Sequence, residues 1–68
     1  MDDFKTRMND HFTQYENMFD ASKILEHGKW MAGYITCQFD LGMLNDGEYI
    51  ELLRKNDRLR KKALNENT

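Results

Sequence analysis

The stretch Ile24–Leu41 constrains the chain most, because its apolar residues recur at helical spacing over an arc too wide for one neighbouring helix to cover. At about 100° per residue, Ile24, Gly28, Met31, Ile35 and Phe39 form one stripe of a helix. His27, Trp30, Tyr34, Cys37 and Leu41 form a second stripe, offset by roughly a quarter turn. Leu25, Ala32 and Thr36 widen the arc on the far flank, leaving only Glu26, Lys29, Gly33 and Asp40 as a polar or small strip. Such a helix needs partners on two sides, from its own chain or from another copy.

Upstream, Phe4, Met8, Phe12, Tyr15 and Phe19 recur every three or four residues, which predicts a helix from about Asp2 to Phe19 with one buried side. Asp2 and Asp3 suit its positive amino end. Asp20-Ala21-Ser22 is the expected break, with Asp20 or Ser22 as the cap of the next helix; a kink within one longer helix is the alternative. That second helix is expected over Ser22–Leu41, ended by Gly42 in a left-handed conformation. Asn45 followed three residues later by Glu48 is a capping box, and Leu44 and Tyr49 have the spacing of a hydrophobic staple. A third helix is therefore expected from Asp46 to Leu64. On it Tyr49, Leu52, Asn56, Leu59 and Ala63 alternate between heptad core positions, which puts the polar Asn56 at a core-type site.

The turn segment Leu41–Leu53, through Gly42-Met43 and Glu48-Tyr49, resembles the short carboxy-terminal oligomerisation module known as SHOCT. Any well-capped helical hairpin shares that pattern.

With 68 residues and a single cysteine, the chain has room for one small domain and no internal disulfide. Chains of this size usually gain further stability by oligomerising or docking. Pro and Val are absent and strand-forming residues are few, so the composition is all-α. The expected fold is a small three-helix bundle with the second and third helices as an antiparallel hairpin. A net charge of −2 argues against strong overall affinity for nucleic acid or anionic membrane. Met1-Asp2-Asp3 is acidic and no apolar run follows, so neither a signal peptide nor a membrane span is expected. A free cysteine fits the cytoplasm.

No catalytic constellation emerges. His27 and Cys37 lie about 15 Å apart along one helix, and nothing supplies an orienting group or an oxyanion site for His11 and Cys37. Cys37 reads instead as a small core residue, with each histidine half exposed. Two His and one Cys at wide spacing match no zinc pattern, and a calcium loop centred on Gly47 would place Gly42, Leu44 and Leu53 where carboxylates belong. No enzyme activity, metal or cofactor is expected.

The expected function is that of a non-catalytic protein–protein interaction module, a small modulator or inhibitor of a larger protein that can itself be a homodimer. Accessory proteins of phages and plasmids share this size and charge, which is an association and not a motif. The seam formed by His27, Trp30, Tyr34, Cys37 and Leu41, with Met31 beside it, is the expected interface. The alternative is a small DNA- or RNA-binding regulator using Arg54, Lys55, Arg58, Lys61 and Lys62, in a run where six of nine residues are cationic. Asp46, Glu48 and Glu51 oppose it by facing acid to the phosphate backbone.

Overall fold

The computed structural model describes residues 4–66. It consists of α1 (Phe4–Thr13), a 3-10 turn (Gln14–Asn17), α2 (Ala21–Asp40) and α3 (Asp46–Glu66), with no strand among the described residues. Helices α2 and α3 pack as an antiparallel hairpin, shown by the pairing of Gly28 with Asn56 and of Thr36 and Phe39 with Tyr49. The Cα envelope is only 15 Å across its shortest direction, so each helix keeps a solvent face.

Three local devices set the helix ends. Asp20 Oδ1 accepts from the Ser22 amide at 2.9 Å, which caps α2 and separates it from the first helix. At its other end Gly42 adopts φ +79°, and the amides of Gly42 and Met43 donate to the carbonyls of Phe39 and Gln38 at 3.0 and 2.9 Å. This is a Schellman closure, and only a residue without Cβ enters it cheaply. The capping box then starts α3: the Glu48 amide donates to Asn45 Oδ1 at 2.8 Å, and the Asn45 amide donates to Glu48 Oε1 at 3.1 Å. Leu44 is buried and Tyr49 packs against the same core, where it stacks on Phe39 with centroids 4.3 Å apart.

The first helix departs from expectation. Its α-helical part ends at Thr13, tightens into the 3-10 turn, and gives way at Met18 to extended backbone (φ −101°, ψ 126°). Asp2 and Asp3 lie outside the described residues. The extended step swings Phe19 out of the stripe that Phe12 and Tyr15 follow, and it is 77% exposed. The third helix also runs two residues beyond Leu64, to Glu66.

The core comprises Met8, Phe12 and Tyr15 from the first segment, Ile24, Met31 and Ile35 from α2, Leu44 from the turn, and Ala63 from α3. Met31 is therefore core and not interface: it shares the stripe of Ile24 and Ile35, which faces α3 and the first segment. Cys37 is exposed, because it lies roughly 150° around the helix from that stripe.

One polar group sits inside. Asn56, 5% exposed, accepts from the Tyr15 hydroxyl at 2.5 Å and donates from Nδ2 to the Gly28 carbonyl at 3.0 Å. The 3-10 turn, α2 and α3 are tied together through this one amide. Burial pushes the Tyr15 phenol up to about 12, against which the Arg60 guanidinium pulls weakly. The neutral phenol is thus favoured in the fold relative to the unfolded chain, whose value is near 10.0. Stability from Tyr15 is full below pH 10 and lost as pH rises towards 12, at about 1.4 kcal/mol per pKa unit. Replacing Tyr15 by Phe strands the Asn56 carbonyl oxygen and is expected to cost about 1–3 kcal/mol near neutral pH. In urea melts at a series of pH values, the gap between wild type and Tyr15→Phe should narrow between pH 10 and 12.

Two glycines of α2 give a second test. A Cβ at Gly28 would lie 2.9 Å from Arg60 Cδ and 3.3 Å from Tyr15 Oη, whereas at Gly33 it would meet nothing within 4 Å. Gly28→Ala should destabilise the fold, while Gly33→Ala should raise it by about 0.5–1 kcal/mol through helix propensity. Thermal melts of the two variants should move in opposite directions.

Candidate functional site

The wide apolar arc of α2 is divided between two uses. Its inner stripe meets α3 and the core, and part of its second stripe is consumed by the first segment. His11 of α1 sits edge-on to Trp30 and to Tyr34, with centroids 4.8 and 5.2 Å apart. His27 meets the Tyr15 ring at 4.7 Å and stacks nearly parallel to Trp30 at 5.8 Å. Trp30 and Tyr34 complete the cluster at 5.2 Å.

His27 also makes the hydrogen bond that fastens this cluster. Its Nε2 lies 2.8 Å from the His11 carbonyl oxygen near the end of α1. A carbonyl only accepts, so Nε2 must carry a proton. The His27 ring thus satisfies a carbonyl close to the helix end, where intrahelical partners run out.

The expected interface residues therefore separate into two groups. Met31 is fully buried, and His27 and Tyr34 are partly buried in the intramolecular cluster. Trp30, 50% exposed, and Leu41, 68% exposed, remain open to solvent, and exposed Cys37 lies between them. The open face also includes Lys29, Gly33 and Asp40, which the sequence alone places on a plain solvent strip. Neither Lys29 nor Asp40 has an ion-pair partner among the described residues. His11 is half-buried, as expected, but its contacts with Trp30 and Tyr34 depend on the crossing of α1 with α2, which the spacing of the first helix does not carry.

No protein-family model, curated protein or solved structure matches the chain. The candidate site accordingly rests on geometry and charge alone.

The basic run is dispersed by the helix. Lys55 points towards α1, with Nζ 4.8 Å from the centre of the Phe12 ring. Arg54, Arg58, Lys61 and Lys62 share the outer face of α3, together with Asp57 and Glu66. Lys61 pairs with Asp57 at 3.0 Å and Lys62 with Glu66 at 4.0 Å, and Arg60 also bonds Asp57. The Lys61 hydrogen bond, with the charges of Lys61 and Arg60 behind it, holds the Asp57 carboxyl below its usual range. Arg54 and Arg58 are left without an ion pair among the described residues.

A cleft of about 220 Å³ lies between α1 and α3, floored by Phe4, Met8, Phe12, Leu44 and Leu52. Lys5 and Glu48 approach to 3.9 Å on its rim. No group of three His, Cys, Asp or Glu side chains among the described residues is arranged to hold a metal, and no helix among them is long and apolar enough to cross a membrane.

The His27 bond can be tested directly. His27→Phe keeps a ring in the cluster and removes the donor, so it should cost about 1 kcal/mol. Chemical denaturation should show a lower midpoint with an unchanged slope.

Proposed function

We propose that this chain is a non-catalytic protein-binding module that docks through the outer face of α2. The single observation behind the reading is the joint exposure of Trp30, Cys37 and Leu41 on one face of α2, a face separate from that of exposed Leu25. Tryptophan is enriched among the residues that dominate binding energy, and here its ring is braced by His11, His27 and Tyr34. A braced ring loses little rotamer freedom on binding, which favours affinity. In this reading the chain works by occupying a surface on another protein, as a modulator or as part of an assembly.

A second reading, binding to nucleic acid through α3, is favoured by the unpaired Arg54 and Arg58. It is weakened by Asp57 and Glu66, whose two carboxylates contact Lys61, Arg60 and Lys62 on the same helix and offset two of those three charges.

A photo-crosslinking amino acid placed at Leu41, and separately at Arg58, distinguishes the two in the native cell. Protein adducts from position 41 and none from position 58 are expected. An absence of protein adducts from position 41, or nucleic-acid adducts from position 58 that vanish in high salt, would sink the first reading.

A further inference from the structure

We propose that the partner of the α2 face is a second copy of this chain, docked antiparallel about a twofold axis beside residue 35. This rests on the docking reading above and names its occupant. The exposed face spans an arc of roughly 120° at helical spacing and sorts into three rows. Trp30 and Leu41 form one edge, Gly33 and Cys37 the middle, and Lys29 and Asp40 the other edge.

An antiparallel twofold pair brings each edge against the same edge of the other copy, and it inverts height about the axis. Residues then meet when their numbers have a common midpoint. The pairs Trp30 with Leu41, Gly33 with Cys37, and Lys29 with Asp40 all have midpoints at residue 35, to within half a residue. Each row is therefore complementary to its own copy. The indole of one protomer lies against the leucine of its partner, the thiol side chain fills the gap over the glycine, and the ammonium meets the carboxylate. All three matches occur twice.

Two further features fit this register. Gly33 is solvent-facing in mid-helix, with nothing within 4 Å of a Cβ, and a close helix crossing is where a missing side chain is useful. Lys29 and Asp40 have no ion-pair partner among the described residues, and no other charge lies between them on that edge. One helix face is a small interface, so association is expected to be weak and strongly concentration dependent.

The test is sedimentation of the full chain from micromolar to millimolar concentration, with helix content checked by circular dichroism. The wild type should pass from the 8.2 kDa monomer to a dimer. Lys29→Asp alone and Asp40→Lys alone each set like charges opposite one another and should associate about tenfold more weakly. Mixed together, the two variants restore both opposite-charge contacts in a heterodimer and should associate as the wild type does. Gly33→Leu should keep its helix content and remain monomeric. A wild type that stays monomeric throughout, single variants that dimerise normally, or a mixture no more associated than its components would overturn the proposal. Adducts from position 41 heavier than twice the chain mass would then show that the docking reading survives with a foreign partner, whereas no adducts would remove both.

Discussion

Everything in this small fold depends on one buried amide. Asn56 has two polar ends to satisfy in a nearly dry site, and a different segment satisfies each: the Tyr15 hydroxyl and the Gly28 carbonyl. An unpaired buried amide is expensive, so arrangements of the helices that break either contact are penalised beyond their lost apolar packing. A core of a few side chains from three elements is otherwise tolerant of sliding, because hydrophobic contact has little directionality. The amide supplies the direction. No buried side-chain nitrogen or oxygen among the described residues is left without a partner, so this polar centre is complete.

The same amide shows how far the sequence could be read. Heptad spacing placed Asn56 at a core-type position, but spacing carries no account of what lies opposite. Its partners are 41 and 28 residues away in the chain, and a local pattern is blind to both. Signals contained within a few residues were legible: the Asn45–Glu48 box, the left-handed Gly42 and the Asp20 cap are each closed by neighbours in sequence. The all-α hairpin bundle follows from those signals together with the apolar periodicity. What periodicity could not show was where a stripe stops being used. Phe19 continues the spacing of Phe12 and Tyr15, yet the backbone becomes extended at Met18 and the ring leaves the core. Cys37 departs from the core expectation for a related reason, since within the second stripe His27 and Tyr34 turn towards the first segment while Trp30 and Cys37 lie further round the helix and stay open.

That division of the second stripe also shapes the functional reading. The aromatic seam looked like a single interface in the sequence, and the fold uses half of it to attach the first segment. His11, absent from the apolar pattern, becomes the contact that turns Tyr34 and one side of Trp30 inward. The exposed part of the seam, Trp30, Cys37 and Leu41, joins Lys29, Gly33 and Asp40 in one face with an apolar edge, a small middle and a charged edge. The outer face of α3 contrasts with it. There Asp57 and Glu66 draw their neighbouring cations into pairs within the same helix, which is the ordinary economy of a solvated surface.

The glycines sharpen that contrast, because each one in a helical chain needs a reason to outweigh its propensity cost. Gly42 has its positive φ, and Gly28 has the close approach of Arg60 and Tyr15. Gly47 stands in the first turn of α3, where a Cβ would sit 3.4 Å from the capping oxygen of Asn45. Gly33 has none of these. It occupies the interior of a 20-residue helix, points to open space, and weakens that helix relative to alanine without any return from the packing around it. The proposed twofold pair would resolve the imbalance: the cost would fall on the free protein, and the compensation would come from the partner backbone closing over Gly33.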